Sequence, residues 1–320
     1  MILVTGISGF LGRYVAQQLL AKGYEVVGVS RHSNDHIPIG VDYQPLDLAD
    51  QAAVAALFDR YDFKGVIHCA AKSSAWGTYQ SFYSANVLAT QHIVDACQKH
   101  GVDRLVHISS PSVYARLDHQ LAVKETEPFS QPPLNHYIET KRKAEAIVKQ
   151  SGLSYNILRP RALIGDGDTS VIPRLLQTEA KSGIPLLNQG QNLMDVTCIE
   201  NAAYACLLAL ECESSGGVYN VTNGDPKPFI ELMTLLFDHL GRSPRFKRLP
   251  YGLLINLARL MEKVYPASKE PPLTVYTLST LAFSQTLDIS ALQNELGYRP
   301  LVTLEEKVGD YADWYRHFLS

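Results

Sequence analysis

The chain has 320 residues, a net charge of −3, 46% hydrophobic residues and 19% charged residues, which is ordinary for a soluble protein with a sizeable core. This charge balance gives no reason to expect nucleic acid as a partner, and no apolar run reaches the roughly 18 residues of a membrane span. The sequence has five cysteines without a CxxC pair, which suggests a cytoplasmic protein with no disulfide framework or metal site. The first predicted strand begins at residue 2, so we expect no signal peptide.

The first predicted strand, residues 2–4, runs directly into a glycine turn with the sequence TGISGFLG at 5–12. An amphipathic helix follows, and strand, glycine turn and helix in this order are typical of dinucleotide binding. The first glycine permits the sharp turn, the second lets amides approach a pyrophosphate, and Gly12 lets the helix pack close to the strand. The helix N-terminus then faces the phosphates. The turn residues expected to touch the cofactor are Gly6, Ser8, Gly9, Phe10 and Leu11.

Strand and helix patterns alternate through the first half of the chain. The predicted strands are 24–30, 41–46, 65–69, 104–108 and 153–158, and the predicted helices are 51–58, 79–100 and 136–150. This alternation is typical of an α/β fold with a doubly wound, Rossmann-like parallel sheet.

Beyond Pro160 the alternation fades into short elements, a helix at 200–211 and one more strand at 218–221. We therefore expect a dinucleotide-binding domain at 1–165, to which 190–225 returns. Residues 166–320 form mainly a smaller, mixed substrate-binding region.

The loops after the strands are where a doubly wound sheet binds its ligands. Ser109 and Ser110 end one strand, and Tyr137 and Lys141 follow at i and i+4 on one helix face. A lysine ammonium beside a phenol lowers the tyrosine pKa from about 10 towards neutrality. Such a tyrosine can exchange a proton with a hydroxyl or carbonyl while hydride moves to or from a nicotinamide, and a serine can hold the carbonyl oxygen.

Ordered motifs along essentially the whole chain carry a family resemblance. They are the glycine turn, Asp47-Leu48, HCAA at 68–71, NVLAT at 86–90, SSPSVY at 109–114, YIETK at 137–141 and RPRALIG at 159–165. With these motifs the sequence resembles the extended short-chain dehydrogenase/reductase family. The resemblance implies that Tyr137 is the catalytic acid/base and that Lys141 lowers its pKa and binds the nicotinamide ribose. The catalytic serine matches Ser110 better than Ser109.

Within that family the chain is most similar to the 3β-hydroxysteroid dehydrogenase-like branch and to bacterial reductases of 2-alkyl-3-oxoalkanoic acids. The similar segments are 71–79, the Ser-Ser-Pro-Ser-Val run and the Arg-Pro-Arg run at 159–161. Nucleotide-sugar epimerases usually read RYFNVYG-like after the last strand, and dehydratases carry a Thr-Asp-Glu run in the serine region. Neither pattern occurs in this sequence.

The end of the second predicted strand bears on the choice of dinucleotide. An acidic residue there would favour NAD, but the sequence has Ser30 followed by Arg31, which could pair with a 2′-phosphate. NADP is therefore favoured, while nearby Asp35 leaves NAD open. The resemblance implies that Asp47 accepts a hydrogen bond from the adenine amino group, although an acidic residue that caps a helix N-terminus would look identical in the sequence. Further expected cofactor contacts are Leu48, Ala70, Ala71, Lys72, Tyr137, Lys141 and Pro160.

Four residues near the expected nicotinamide position are candidates for the substrate pocket: Trp76, Ser112, Tyr114 and Arg161. Aromatic walls suit a bulky apolar substrate, with few polar groups fixing its orientation. Trp76 could equally pack under its loop. Arg161 could hold a substrate carboxylate or brace the cofactor pocket.

The apolar stretch 251–265 carries polar residues at three- to four-residue spacing, which indicates a helix with only a narrow wet face. One interpretation is a buried helix or an oligomer contact. The other is a lipid-facing entrance for the substrate, with peripheral membrane contact. The family resemblance also implies a homodimer through the helices at 79–100 and 136–150.

These patterns together predict an NADP-dependent oxidoreductase that interconverts a ketone and a secondary alcohol. Its substrate is expected to be bulky and apolar, sterol-like or a long-chain 3-oxo or 3-hydroxy acid. The alternative is a nucleotide-sugar epimerase or dehydratase of the same family. A non-catalytic, redox-sensing NADP-binding protein is disfavoured by the intact set of Ser110, Tyr137 and Lys141.

Overall fold

The computed structural model describes residues 1–168 and 171–318. Its strands are β1 (Ile2–Thr5), β2 (Val26–Ser30), β3 (Val41–Pro45), β4 (Gly65–His68), β5 (Arg104–Ile108), β6 (Gln120–Val123), β7 (Tyr155–Pro160), β8 (Leu163–Ile164), β9 (Ile184–Leu186), β10 (Leu193–Met194), β11 (Thr197–Cys198), β12 (Gly217–Val221), β13 (Lys227–Pro228), β14 (Phe246–Arg248) and β15 (Gln285–Leu287). Its α-helices are α1 (Phe10–Ala21), α2 (Gln51–Arg60), α3 (Tyr79–Phe82), α4 (Ala89–His100), α5 (His136–Gln150), α6 (Val171–Ser182), α7 (Ile199–Glu211), α8 (Phe229–His239), α9 (Tyr251–Val264), α10 (Val275–Ala282), α11 (Ser290–Glu295) and α12 (Leu304–Phe318).

The central sheet contains seven parallel strands within the described residues, in the order β3-β2-β1-β4-β5-β7-β12. One face is covered by α1 and α7, and the other by α2, α4 and α5. Strands β1 and β4 are buried throughout, because helices cover both faces, and this accounts for their continuous apolar runs. The expected doubly wound, Rossmann-like sheet is confirmed.

The predicted helix at 79–100 is interrupted in the structure. An α-helical turn leads into a π-helical segment, Tyr83–Leu88, before α4 continues to His100. Such segments widen a helix locally and often occur at functional sites. Here the π-segment carries Asn86, whose buried side chain reaches the loop after β4.

The chain after β7 rejoins the central sheet late. Strand β12 pairs with β7 in parallel along its whole length. A second sheet, of four strands within the described part, has the order β13-β10-β15-β6, and β6 comes from the loop that follows β5. The loop carrying the serines is therefore tied to the C-terminal region by strand pairing.

The prediction that helix α9 has only a narrow wet face is wrong. Its buried residues are Leu254, Ile255 and Ala258. An apolar stripe on the opposite side is exposed: Leu253 by 63%, Leu257 by 40%, Leu260 by 57% and Val264 by 66%. These four residues recur at helical spacing and share one face. In the described part of the chain no helix is long and apolar enough to cross a membrane.

Candidate active site

The glycine turn after β1 has the geometry that a dinucleotide pyrophosphate requires. Gly6 has a φ of +69°, and a Cβ on it would lie 2.9 Å from the backbone of Ala70. The amide of Ala70 donates to Oγ1 of Thr5 at 3.1 Å, which fixes the two loops against each other. Gly9 is the N-cap of α1, and no described side chain caps this helix end. Its first amides are thus free to bind an anion, so the residues present fit a dinucleotide.

The loop after β2 lies against this turn, since Nδ2 of Asn34 donates to the carbonyl of Ser8 at 2.9 Å. Arg31 and Asp35 are both exposed on this loop. Either side chain is thus available to a ligand beside the glycine turn.

The loop after β3 contains two of the expected cofactor contacts. Asp47 is exposed and accepts from the amide of Ala49 at 3.0 Å, whereas Leu48 is buried. The N-cap of α2 is Asp50, which accepts from the amide of Ala53. The helix-cap alternative for Asp47 is therefore wrong.

Asn86 of the π-helical segment holds the loop after β4 in place. Oδ1 of Asn86 accepts from the amide of Lys72 at 2.7 Å, and Nδ2 of Asn86 donates to the carbonyl of Lys72 and to Oγ1 of Thr140. The ammonium of Lys72 donates to Ser81 at 2.7 Å. One buried amide thereby links the expected cofactor loop at 70–72 to α5.

Tyr137 lies at the start of α5, 7% exposed, and the side chains of Ser110 and Ser73 lie close enough to its hydroxyl to affect its pKa. Burial raises the pKa of Tyr137 to about 12, and the nearby Tyr276 adds to the rise, while the two serine side chains oppose it. A phenol in this state is protonated at neutral pH. The structure thus places two hydroxyl groups and a neutral phenol at one point of the sheet edge.

Lys141 lies one helical turn further along the same buried face. Its Nζ donates to the carbonyl of Ile108 at 2.8 Å, and burial lowers its pKa to about 8 although Glu145 opposes this. The expectation that Lys141 depresses the tyrosine pKa is not met in this structure. The reason is that the effect of burial on the pKa of Tyr137 is larger than that of any neighbouring group.

A pair of buried histidines lies beside Lys141. His68 is bonded to Thr5 and Thr90, as expected for a core residue, and its ring centre is 5.4 Å from that of His107. Burial, followed by the charge of Lys141, lowers the pKa of His68 to about 3 and that of His107 well below its usual value. Both histidines are therefore neutral, and Lys141 is the cationic group at this position.

The two serines that end β5 have different surroundings. Oγ of Ser109 donates to the buried Glu145 at 2.6 Å, facing the interior. Ser110 faces Tyr137 and also donates to Oγ of Ser112 at 3.0 Å. Ser112 in turn shares a hydrogen bond of 2.6 Å with the hydroxyl of Tyr276 on α10. A row of hydroxyl groups thus leads from Tyr137 to the C-terminal region.

Tyr114 does not line this site, and its prediction as a pocket residue is wrong. The 3-10 helix Pro111–Tyr114 turns its ring inward, where it is 1% exposed. Its hydroxyl donates to Asn220 at 3.0 Å and accepts from Arg159.

Trp76 links its loop to the C-terminal region, since its Nε1 donates to the carbonyl of Pro266 at 3.1 Å. Beside it lies a cavity of about 940 Å³, whose apolar walls are Trp76, Phe82, Pro132, Leu134 and Tyr265. Polar side chains, including Glu139 and Lys143, complete its rim. Trp76 is thus both a packing residue and part of a cavity wall.

Pro160 ends β7, opposite Val221 of β12, and Arg161 is the next residue. Arg161 is 7% exposed and borders a much smaller space of about 10 Å³, shared with Ser112 and Tyr276, which has room for about one water molecule unless the side chains around it move apart.

Sequence reasoning did not assign site roles to Ser73, Asn86 and Tyr276. Asn86 stood in a family-like motif, and Ser73 stood in the loop at 71–79, so both positions offered a local signal. Tyr276 offered none, because only the tertiary fold brings α10 to Ser112.

Comparison with known proteins agrees with this architecture. Residues 2–222 match the family described as "NAD dependent epimerase/dehydratase family". A 2-alkyl-3-oxoalkanoate reductase of Stenotrophomonas maltophilia is 33% identical, over 95% of this chain and 96% of that protein. The 3beta-hydroxysteroid-dehydrogenase/decarboxylase isoform 1 of Arabidopsis thaliana is 30% identical, over 98% of this chain and 79% of that protein.

The solved structure of MoeE5 in complex with UDP-glucose and NAD has a TM-score of 0.80 at 24% identity. The match covers 100% of this chain and 99% of that one, and it shows a shared fold. With the family match over residues 2–222 and two relatives similar over nearly its whole length, the chain belongs to the NAD-dependent epimerase/dehydratase family, the extended short-chain dehydrogenases/reductases.

Proposed function

We propose that this protein is an NADP-dependent oxidoreductase that interconverts a ketone and a secondary alcohol on a bulky apolar substrate. The substrate would be sterol-like or a long-chain 3-oxo or 3-hydroxy acid. One observation carries the proposal: the side chain of Ser110 lies beside the buried hydroxyl of Tyr137, with Lys141 one turn along the same buried helix face. Two relatives, a 2-alkyl-3-oxoalkanoate reductase and a 3beta-hydroxysteroid-dehydrogenase/decarboxylase, support the same reaction class.

The bound nicotinamide would supply or accept the hydride at the carbon that bears the oxygen. Ser110 would donate a hydrogen bond to the carbonyl oxygen and stabilise its developing charge. Tyr137 would then give that oxygen its proton. A phenol whose pKa is raised to about 12 is a proton donor at neutral pH, which suits reduction of a ketone.

Lys141 would hold positive charge one helical turn from the phenol, on the same buried face of α5. Its ammonium is fixed by the carbonyl of Ile108, so it is positioned without needing a ligand. Positive charge at this place stabilises a phenolate and would therefore support the reverse reaction, in which Tyr137 accepts a proton. The neutral histidines beside it add no competing charge.

NADP is proposed rather than NAD because Arg31 follows β2 directly and is exposed beside the glycine turn. A guanidinium can pair bidentately with a 2′-phosphate, whereas Ser30 offers no carboxylate to the ribose hydroxyls. Asp35 lies on the same loop, so the choice depends on which of the two side chains reaches the adenosine ribose.

A second candidate function is epimerisation or dehydration of a nucleotide sugar. The family description and the UDP-glucose bound to MoeE5 favour it. The same serine, tyrosine and lysine would serve that reaction, since it also begins with hydride abstraction. The two functions differ in outcome, because an epimerase returns the hydride to its own substrate and releases no oxidised cofactor.

The decisive experiment follows NADPH consumption by the purified protein with steroid ketones, long-chain 3-oxo acids and UDP-sugars. Stoichiometric formation of NADP⁺ and alcohol from a ketone supports the proposal. Conversion of a UDP-sugar without net change in cofactor would replace it with the alternative. The same purified protein also tests the homodimer that we propose through α3, α4 and α5, because its mass in solution is measured directly by light scattering.

A further inference from the structure

The backbone at Arg161 is fixed on both sides, so its side chain has a defined origin at the end of β7. Its amide donates to the carbonyl of Val221 at 3.0 Å, and its carbonyl accepts from Oγ1 of Thr197. The residue is 7% exposed. A guanidinium is thereby buried at the edge of the sheet where Ser110 and Tyr137 lie.

Within the described residues the Arg161 guanidinium forms no ion pair, although Asp195 acts on it through space. Among residues 1–168 and 171–318, nothing bonds to its buried Nε. The carboxylate of Asp195, which influences it through space, accepts instead from the amide of Leu287 at 2.7 Å. Leaving a charge buried and unpaired costs several kcal/mol, so such groups usually indicate a ligand.

Arg159, which lies on β7 two residues before Arg161, shows the usual arrangement. It is as deeply buried as Arg161, and Glu145 pairs with it through Nε and Nη2 at 2.8 and 2.6 Å. The two arginines therefore differ: Arg159 is held in an ion pair in the interior, whereas Arg161 borders a cavity and forms no ion pair with the described residues.

That cavity holds a second buried donor that the fold leaves without a partner. Nε2 of Gln120 makes no hydrogen bond to any described residue, although Oε1 of the same side chain accepts from Gln285 at 3.1 Å. Gln120 and Arg161 both line the cavity, together with the hydroxyls of Ser112 and Tyr276. Its one carboxylate, Asp118, is exposed and lies 3.9 Å from Arg116. Unpaired donors from two elements are what an anionic group would satisfy.

The cavity is connected to the proposed reaction centre through two hydroxyl groups. Tyr276 bonds to Ser112 at 2.6 Å and Ser112 to Ser110 at 3.0 Å, and the side chain of Ser110 lies beside the Tyr137 hydroxyl. A short row of hydroxyl groups would thus separate an anion bound at Arg161 from the oxygen that Tyr137 protonates.

We propose that Arg161, assisted by Gln120, binds the carboxylate of the substrate, and that the substrate is a 3-oxo or 3-hydroxy acid and not a neutral ketone. This inference rests on the proposed function, because it names the substrate class of the same site.

The test compares 3-hydroxydecanoate with its methyl ester, using NADP⁺ as oxidant. The variants are Arg161→Gln and Gln120→Met, with Arg60→Gln as control, since Arg60 is exposed on α2. We expect the wild type to prefer the acid. In Arg161→Gln, kcat/KM for the acid falls by roughly 30-fold or more, mainly through KM, while the ester is unaffected. Gln120→Met weakens the same preference by a smaller factor, and Arg60→Gln does not change it.

Two binding measurements separate this inference from the proposed reaction. Calorimetry of decanoate with the NADP⁺ complex needs no turnover, and we expect this binding to be lost in Arg161→Gln. Loss of binding in a protein that oxidises no hydroxy acid would overturn the proposed function but leave the carboxylate site standing. An unchanged acid-to-ester ratio in Arg161→Gln, or weakened NADP⁺ binding with that ratio intact, would overturn the carboxylate site. If Arg161→Gln does not fold, the acid-to-ester ratio of Gln120→Met decides.

Discussion

Glu145 of α5 and Arg159 of β7 form a two-pronged ion pair in which both side chains are only 1% exposed. The pair connects the helix that carries Tyr137 and Lys141 to the strand that leads to Arg161. Glu145 also accepts from Ser109, so the strand carrying the serines is held by the same carboxylate. One buried carboxylate thus orients three elements of the proposed site.

We expect Arg159→Met to lower the free energy of unfolding by about 3–5 kcal/mol, because it leaves the Glu145 carboxylate buried without its cation. Urea denaturation followed by circular dichroism measures this loss. The double variant Glu145→Leu with Arg159→Met removes both charges and should recover much of the stability. A double variant as unstable as the single one would contradict this account.

Replacing Tyr137 with Phe should reduce turnover by about 10²–10⁴-fold, since the proton donor is removed while the ring remains. Cofactor binding, measured by quenching of protein fluorescence, should be largely retained. Tyr24→Phe is the matched control, because this hydroxyl bonds to Glu211 and not to any residue of the site. Near-normal turnover in Tyr137→Phe would exclude the proposed mechanism.

Arg31→Asp should shift the ratio of kcat/KM for NADPH over NADH towards NADH by about tenfold or more, since a hydrogen bond to a charged group contributes about 1.5–3 kcal/mol. Asp35→Asn is the informative companion variant. If Asp35 binds the ribose hydroxyls instead, this second substitution weakens NADH binding and the Arg31 variant leaves the ratio unchanged.

The buried histidines predict a loss of stability in acid. Burial lowers the pKa of His68 to about 3 and that of His107 well below its usual value, so both are neutral when folded but take up protons when unfolded below about pH 6.5. The unfolded state then binds more protons, so stability falls as the pH is lowered, by about 1.4 kcal/mol per pH unit for each histidine. The effect extends from about pH 6.5 downwards, to about pH 3 for His68.

His107→Leu should make this pH dependence of the thermal midpoint shallower. It should also stabilise the protein near neutral pH, because both ring nitrogens of His107 lack a partner in the part of the chain that the structure describes. The control is His36→Gln at an exposed position, which should preserve the wild-type profile. If the thermal midpoint of His107→Leu falls in acid as steeply as that of the wild type, His107 is protonated in the folded state as well.

The exposed stripe of α9 predicts that Leu253→Gln with Leu260→Gln alters an association without unfolding the protein. Both leucines are more than half exposed, so the core is unaffected. Light scattering detects loss of an oligomer, and co-sedimentation with anionic vesicles detects loss of lipid binding. Unchanged behaviour in both measurements would exclude both interpretations of this helix.

Local sequence patterns were sufficient to predict the features that depend on a single turn, helix or strand. The glycine spacing predicted the turn at Gly6, and the i, i+4 spacing placed Tyr137 and Lys141 on one face of α5. The strand at 218–221 was also recognised from its composition. These features depend on backbone sterics and helical periodicity, which neighbouring residues in the sequence determine.

Features that depend on distant parts of the chain were not predictable in this way. Tyr114 was expected in the pocket because its motif places it after the serine, yet a 3-10 turn directs it to Arg159. The contact of Tyr276 with Ser112 spans 164 residues. Helix α9 reads as almost wholly apolar, and only the packing of α10 against one side shows which leucines remain exposed.

The pairing of β12 with β7 has a consequence for how the chain is made. Strand β7 is complete once residue 160 is synthesised, but its neighbour arrives only with Gly217–Val221. Until then a row of unpaired amides and carbonyls is exposed along its edge, beside the charged side chain of Arg159. We expect a fragment that ends near residue 165 to aggregate, and the nascent protein to reach a protease-resistant state only after residue 221 has left the ribosome.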